Sequence, residues 1–493
     1  MDQAMRNENV RIKMNQTGEE KEKKLGLGLL IALGVGSMIG GGVFNSPTDL
    51  ITVANPQTIL LSWFIGGFGV LALALIFQLL AEKRPELEGG IYSYARAGYG
   101  DFMGFLSAWG YWTSGVFGNV AFFTLIIKTL NSLLGPQYQL QPIVSFILAS
   151  IVLWGVVYIQ TRGTKSVGII NAIVTVAKLI PLTLVVLLGF LVFKPELFAV
   201  ANWQSTLASV PEPAAAATTL GSQINGAMGV ILWCFIGVEA STILAEKAES
   251  QKIVGKATVI SLLFTLGIYI AISVVAMGVL SAEQLAQSGT PLASVLGSTV
   301  IGDAGAIIVK LGIIVSVLGA LISWVLIASQ LPYIAAKEGV MPKMFVKTNK
   351  LGAPVSALLL TNGIAQVFLL VLLSTKLQSI YNMVLLLATT CILIPYLLSA
   401  LYSVKVCRQD RLNAKSMMIS IIGVVYSVYV ILAVGIVYLA ASFIIYALGM
   451  FAFIKAKKEQ KEKVTKAEWI GVSIVSLLGI VTTFLLAIGI IAI

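Results

Sequence analysis

Apolar runs long enough to cross a membrane recur along almost the whole chain, from residue 25 to the C-terminus. A helix needs roughly 20 apolar residues to span the roughly 30 Å hydrocarbon core of a bilayer. Inside lipid, only helices and closed barrels satisfy every backbone polar group, and the sequence lacks the strict apolar/polar alternation of a barrel. Charged residues make up only 11% of the chain, against roughly 25% in soluble domains. The sequence therefore predicts an all-α polytopic protein that lies in the lipid bilayer.

We delimit thirteen predicted transmembrane segments. They cover residues 25–52, 57–82, 98–134, 142–160, 164–193, 220–245, 255–280, 302–335, 354–374, 378–404, 416–434, 437–457 and 468–492. The polar tail of residues 1–24 has no apolar stretch typical of a cleaved signal peptide, so none is expected. The division of residues 416–457 into two segments is left open.

Lys and Arg side chains are concentrated in alternate connections. Of the 33, 28 lie in the N-terminal tail and in every second connection after it, whereas the opposite set holds only Lys194 and Lys376. Such asymmetry places the basic connections and the N-terminus in the cytoplasm, and thirteen segments then put the C-terminus outside. The net charge of +11 is therefore interpreted as a topology signal, and no nucleic-acid partner is expected.

The residues suited to metal binding and acid/base catalysis are scarce. The chain contains no histidine, and Cys234, Cys391 and Cys407 do not have the spacing of metal ligands. We expect no metal and no cofactor. Since no nucleophile-and-base pair is apparent either, the sequence predicts that the protein is not an enzyme.

The first segment contains three consecutive glycines near its middle, Gly40, Gly41 and Gly42, and Pro47 follows. Each glycine in a helix costs roughly 1 kcal/mol relative to alanine. An interruption would expose backbone N–H groups and direct the positive end of the next half-helix at an anion. Close packing of helices on small residues is the competing interpretation. The run of three favours a break that binds a substrate carboxylate.

The sixth segment has a second candidate break, where Gly237 precedes Glu239. Carboxylates within the membrane usually face a bundle interior or a water-filled cavity. Glu239 is therefore a candidate gating residue, with a purely structural carboxylate as the alternative. Segments one and six are five apart and cross in opposite directions, which is typical of inverted-repeat transporters. We predict one repeat over 25–193, a second over 220–404, and three additional helices over 416–492.

Four polar or aromatic residues inside the segments are further candidates. Trp233 and Trp324 are placed to present ring faces to a cation. Asn119 either binds a substrate or bridges two helices. Lys178 is the only cation that we place well inside a segment; its ammonium either reaches toward an interface or stays deep, carrying a proton or replacing a coupling cation.

Three stretches, 36–44, 233–241 and 335–345, resemble the amino acid–polyamine–organocation superfamily. The resemblance covers about residues 25–457. Within the superfamily, the chain is most similar to the basic amino acid/polyamine antiporters, and among these to bacterial arginine/ornithine antiporters. This implies a 5+5 inverted-repeat fold with broken helices 1 and 6, located in the bacterial cytoplasmic membrane.

The resemblance also implies residue roles. Gly40, Gly41 and Gly42 match the carboxylate-binding turn, although Gly41 stands where relatives often have serine. Trp233 matches the aromatic residue that stacks on the substrate as an intermediate gate. The other matches are Gly237 in the second break, Glu239 as the gating glutamate, Asn119 as a polar substrate contact, Trp324 as an aromatic floor, Tyr111 as an outer-gate aromatic, and Lys178 as a lysine in place of a coupling sodium ion.

Together with these residues, the resemblance implies electroneutral exchange of L-arginine for L-ornithine by alternating access. A proton-coupled lysine or other amino acid permease, using Lys178 or Glu239, is the alternative, as is an arginine/agmatine-type exchanger. A channel or sensor fits less well, because the chain carries an internal inverted pair. The expected partners are small cationic amino acids and the lipid bilayer, and a homodimer is one assembly that the sequence allows.

Overall fold

The computed structural model describes residues 26–87, 89–162, 165–200, 203, 219–239 and 248–491. Over these residues the chain forms seventeen α-helices and no β-strand. The helices are α1 (Leu27–Met38), α2 (Gly42–Ile51), α3 (Pro56–Lys83), α4 (Ile91–Tyr99), α5 (Asp101–Leu134), α6 (Pro142–Thr161), α7 (Lys165–Leu191), α8 (Leu220–Phe235), α9 (Gln251–Val279), α10 (Ala282–Gln287), α11 (Pro291–Gly297), α12 (Gly302–Lys337), α13 (Val355–Phe368), α14 (Leu377–Gln409), α15 (Ala414–Ala433), α16 (Ile436–Glu459) and α17 (Lys466–Ala487). Single turns of 3₁₀-helix lie at Pro136–Tyr138, Pro195–Phe198, Lys343–Phe345 and Leu369–Leu373.

The described helices confirm the prediction of an all-α protein with many membrane spans. Eleven are long and apolar enough to cross a bilayer, and α1 with α2 makes a twelfth if the bent pair is one span. The shorter apolar helix α8 begins the predicted sixth segment, whose residues 240–247 lie outside the described residues. The count of thirteen and the inverted repeat stay predictions.

The helices differ in how much of their surface other helices cover. In the most apolar stretch of α5 and of α14, 72% of the residues are buried, against 22% in α17. α5 and α14 pack along each other, and α5 also packs against α12. These long helices are therefore at the centre of the bundle, and α17 faces outward with α16 as its main neighbour.

Ion pairs join several connections at one end of the bundle, which we name the basic end. Arg84, just after α3, donates two hydrogen bonds of 2.8 Å to the carboxylate of Asp410, just after α14. The Arg84 guanidinium lowers the pKa of Asp410. Lys457 near the end of α16 is paired with Asp101 at 2.8 Å and with Glu468 at 3.2 Å. The end of α2 lies at the opposite end, because α3 runs from there to Arg84.

Candidate substrate site

The first helix is interrupted at the predicted place. α1 ends at Met38, α2 begins at Gly42, and their axes differ by 42°. The amide of Ile39 closes α1 with a 2.8 Å hydrogen bond to the carbonyl of Val35. Gly40 and Gly41 therefore form the break, and Gly42 is the first residue of α2. The first N–H groups of a helix lack intrahelical acceptors, so α2 directs free donors and the positive end of its dipole toward the break.

The three glycines leave room for side chains from other helices. A Cβ at Gly40 would lie 3.2 Å from the ring of Phe122, and one at Gly41 would lie 2.8 Å from Cδ2 of Leu125. A Cβ at Gly42 would lie 3.1 Å from Cδ1 of Trp233. Larger residues would therefore displace the side chains of α5 and α8 that lie against the backbone of the break.

The second break follows α8, which ends at Phe235. Gly237 has a φ of +106°, a conformation that residues with a Cβ rarely adopt. Its carbonyl accepts a 2.8 Å hydrogen bond from the hydroxyl of Ser37 in α1. A side chain near the end of α1 thus binds the backbone of the second break directly.

Two buried polar side chains hold the breaks in place. The hydroxyl of Tyr269 in α9 lies 2.9 Å from the carbonyl oxygen of Met38 and 2.8 Å from that of Cys234. The ammonium of Lys178, which is fully buried, donates to the carbonyls of Gly36 at 2.8 Å and Ile39 at 2.5 Å. Lys178 therefore stays deep and binds the carbonyl end of the first break.

A cavity lies where the two breaks meet. Its lining residues are Ser37, Met38, Gly40, Gly41, Gly42, Ser114, Gly115, Gly118, Phe122, Trp233, Ile236 and Trp324. Five of the sequence-predicted residues are among them: the three glycines and the two tryptophans. The carbonyl ends of α1 and α8 and the amide end of α2 all point to this cavity, so it is bordered by helix ends of both polarities.

Glu239 lies beside the cavity without lining it. Its carboxylate is fully buried and accepts hydrogen bonds from Tyr111 at 2.9 Å, Tyr396 at 2.7 Å and the amide of Gly237 at 3.2 Å. The ring of Tyr111 stacks on Trp324, with ring centroids 6.3 Å apart. This group closes the cavity toward the basic end, where α5 begins. The outer-gate role of Tyr111 stays a prediction.

One polar side chain near the cavity has no hydrogen-bond partner among the described residues. Both amide atoms of Asn119, which is fully buried, are unpaired. Asn119 follows the lining residue Gly118 in α5. Buried polar groups without partners cost roughly 1–3 kcal/mol each, which is the property expected of groups that bind a polar ligand.

Sequence reasoning missed the lining residues of α5. Ser114, Gly118 and Phe122 are four residues apart, and this spacing places them on one face of a helix. That spacing was a usable signal, because two small residues and one aromatic ring leave space beside Trp233. Phe122 and Trp233 are in ring contact, with centroids 5.9 Å apart.

Lys178 as the only cation well inside a segment stays a prediction, but a second lysine is buried between the helices. Lys128 in α5 is 9% exposed, and its ammonium lies 5.0 Å from the ring centre of Tyr381. The apolar run around Lys128 ends soon after it in the sequence, so hydropathy alone does not predict that this side chain is buried. The packing of α2 and α14 around it could not be read from that run.

Comparison with known proteins agrees with this architecture. The family model described as amino acid permease matches residues 25–454. The chain belongs to the amino acid permease family. Members of this family are transporters, and the permease described here is a multi-pass membrane transporter and not an enzyme.

Curated relatives match this permease over most of its length. A Pseudomonas aeruginosa protein named arginine/ornithine antiporter is 39% identical, and the match covers 90% of this chain and 92% of the relative. A Latilactobacillus sakei protein of the same name is 36% identical, over 96% of this chain and 99% of the relative. A Chlamydia pneumoniae protein named arginine/agmatine antiporter is 33% identical, over 95% and 98%. The resemblance to arginine/ornithine antiporters noted from the sequence is confirmed.

Proposed function

We propose that this permease exchanges L-arginine for L-ornithine across the bacterial cytoplasmic membrane, one for one and by alternating access. The observation that carries the proposal is the meeting of three helix ends at one cavity. The amide end of α2 attracts an anion, and the carbonyl ends of α1 and α8 attract a cation. An α-amino acid carries a carboxylate and an ammonium on one carbon, which is the ligand such a site fits.

The backbone groups divide the two charges between them. The substrate carboxylate binds the amides at Gly41 and Gly42, where no side-chain hydroxyl takes part. The α-ammonium binds carbonyls at the ends of α1 and α8. Several of these carbonyls already accept a bond from Lys178, Tyr269 or Ser37, and a carbonyl oxygen has a second lone pair for the substrate.

The cationic side chain of the substrate lies against aromatic rings. A guanidinium or ammonium over the face of tryptophan gains roughly 0.5–2 kcal/mol, and Trp233 and Trp324 both line the cavity. The unpaired amide of Asn119 becomes available when α5 adjusts around the ligand. Arginine and ornithine each carry a net charge of +1, so their exchange moves no net charge.

Different side chains close the cavity on its two sides, as alternating access requires. Trp233 covers the substrate on the side of α2, and the group of Tyr111, Tyr396 and Glu239 closes the side toward the basic end. We propose that the repeats 25–193 and 220–404 rock against each other around the breaks. The names of the relatives support arginine and ornithine as the pair.

A proton-coupled amino acid permease is the second candidate, and the position of Lys178 favours it. The ammonium is a fixed cation at the first break, where loss of its proton would release two backbone carbonyls. Glu239 is a second buried group that could exchange a proton. An arginine/agmatine exchanger is supported by the name of one relative.

Counterflow in proteoliposomes separates these functions. Exchange predicts that uptake of radiolabelled arginine requires internal ornithine and does not change when a potassium diffusion potential is imposed. Uptake into vesicles without internal substrate, driven by an imposed proton gradient, would show the permease instead. Faster arginine uptake with internal agmatine than with internal ornithine would support an arginine/agmatine exchanger.

A substitution at Trp233 tests the site. Trp233→Leu should abolish exchange while the protein remains folded, because the ring face is lost. Trp469 is 48% exposed in α17 and provides the matched control, so Trp469→Leu should exchange normally. Normal transport by the Trp233 variant would show that the ring does not bind the substrate cation.

A further inference from the structure

A second polar group lies inside the bundle on the α2 side of the cavity, and one of its members, Tyr381, is in side-chain contact with the cavity-lining Trp233. It consists of Asn45 and Asp49 in α2, Lys128 in α5, and Gln378 and Tyr381 in α14; we name it the outer cluster. Asn45 and Tyr381 are fully buried, Asp49 is 5% exposed, and Lys128 is 9% exposed. Three helices therefore contribute charged and amide groups to one enclosed place.

Two carboxamides connect the opposite charges of the outer cluster. The ammonium of Lys128 donates to Oδ1 of Asn45 at 3.2 Å and to Oε1 of Gln378. Nδ2 of Asn45 donates to Oδ1 of Asp49 at 2.6 Å, and Nε2 of Gln378 donates to the same oxygen at 3.4 Å. Each amide presents its oxygen to the cation and its NH₂ group to the anion.

One oxygen of Asp49 takes no part in this arrangement. Oδ2 is buried and has no hydrogen-bond partner among the described residues. A carboxylate can accept about four hydrogen bonds, and burying it without donors is expensive. The outer cluster thus keeps a free anionic oxygen, whereas the hydroxyl of Tyr381 faces the indole of Trp233.

The position of Asp49 relates the outer cluster to the cavity. It lies seven residues beyond Gly42, or about 10 Å along α2 at 1.5 Å per residue. Gly42 is in contact range of Trp233, and α2 continues from there toward the end opposite the basic end. Under the predicted orientation, the outer cluster therefore lies on the extracellular side of the cavity, further along the axis of α2.

We propose that Asp49 forms an outer subsite for the cationic end of the substrate side chain, occupied before an external amino acid reaches the cavity. The proposal rests on the proposed function, since it takes a guanidinium or ammonium as the ligand. Oδ2 accepts from the substrate cation while Lys128 stays bound to the two carboxamide oxygens. The subsite selects for positive charge on the side chain. The two helix breaks bind only the carboxylate and α-ammonium of the substrate and do not reach this place.

Inhibition of uptake by an uncharged and a charged external amino acid tests the subsite. Citrulline has nearly the shape of arginine but no charge. The external concentration of citrulline that half-inhibits uptake of radiolabelled arginine, divided by that of unlabelled arginine, therefore measures selection for the cation. In right-side-out vesicles, Asp49→Asn should reduce that ratio about tenfold or more, because a charge-assisted hydrogen bond is lost. Asp49→Glu keeps the carboxylate and should retain most of the ratio.

Two controls separate recognition from structure. Glu283 in α10 is half-buried and lies at the same end of the bundle as Asp49. In α10, the carbonyl of Leu285 accepts a 2.8 Å hydrogen bond from the hydroxyl of Thr48 in α2. Glu283→Gln removes the same charge and should leave the ratio unchanged. In inside-out vesicles, the ratio of Asp49→Asn should equal that of the wild type, since the substrate then enters from the other side.

If Asp49→Asn leaves the inhibition ratio in right-side-out vesicles unchanged, the subsite proposal is wrong. An equal decrease of the ratio in both vesicle orientations would also contradict the proposal, because it indicates a structural role. If Asp49→Asn does not fold, labelling decides. Gln378→Cys should react with an external methanethiosulfonate and be protected by arginine but not by citrulline, and equal protection by both would overturn the proposal. Absence of arginine exchange in the wild type would instead remove the proposed function.

Discussion

At the scale of single residues, Gly237 shows how one backbone conformation shapes the second break. Its φ is +106°, and a Cβ there would lie 2.9 Å from the carbonyl oxygen of Ser37. We expect Gly237→Ala to lower the free energy of unfolding by about 1–3 kcal/mol and to slow exchange, because the strain and the contact both separate the two breaks. Thermal unfolding in detergent and counterflow in proteoliposomes measure these effects.

The matched control is a glycine in an ordinary helix position. Gly267 is exposed in α9, and an added Cβ there would meet no atom within 4 Å. Gly267→Ala should raise stability by up to about 1 kcal/mol, because alanine is the better helix former. If Gly267→Ala lowers the free energy of unfolding as much as Gly237→Ala does, the φ angle of Gly237 has no special role.

The residue types of the site could be predicted, whereas their neighbours could not. Three glycines in an apolar run and a glycine two residues before a glutamate are local patterns, and local patterns are visible in one sequence. Phe122 and Leu125 meet the first break from a helix far along the chain. Such contacts arise when segments pack, so the importance of α5 beyond Tyr111 and Asn119 was not apparent.

At the scale of helices, Tyr269 joins the two breaks through one hydroxyl. It lies within hydrogen-bond distance of a carbonyl at the end of α1 and of another near the end of α8. We expect Tyr269→Phe to fold, to lose about 1 kcal/mol of stability, and to show a raised KM for arginine, because both carbonyls are then less well fixed. Steady-state exchange and thermal unfolding give the two quantities.

Tyr138, which is 72% exposed in the 3₁₀-turn after α5, offers the same substitution away from the breaks. Tyr138→Phe should change neither KM nor the unfolding temperature. If Tyr269→Phe leaves KM at the wild-type value, the hydroxyl does not organise the substrate site.

Helices of membrane length could be located from hydropathy, but short ones could not. The predicted segment 98–134 begins inside α4, which ends at Tyr99, and α5 starts after Gly100 with a φ of +85°. The short helices α10 and α11 lie in the connection between the predicted segments 255–280 and 302–335, for which hydropathy gives no secondary-structure prediction. A window of about 20 residues averages over such features, because it responds only to runs that match the thickness of the bilayer.

At the scale of the whole molecule, the chain orientation is the main prediction that remains to be tested. Thirteen spans place the C-terminus outside and the connection after α16 in the cytoplasm. Alkaline phosphatase, which is active only outside the cytoplasm, should be active when fused after Ile493 and inactive when fused after Lys461. Green fluorescent protein at the same two points should show the opposite pattern.

Activity of both phosphatase fusions, or of neither, would contradict a span between the two points. Activity at Lys461 alone would reverse the whole orientation. The structure supports the alternation that underlies this prediction, because Arg84, Asp410, Lys457 and Asp101 meet at one end of the bundle. Which end faces the cytoplasm follows only from the distribution of Lys and Arg.

The close approach of Leu125 to Gly41 has a consequence for how this site can change through mutation. A serine at position 41 would put its Cβ 2.8 Å from Cδ2 of Leu125, so the end of the leucine side chain would have to shift. A smaller residue at 125 would remove that contact. The effect of a hydroxyl at position 41 therefore depends on which residue occupies position 125.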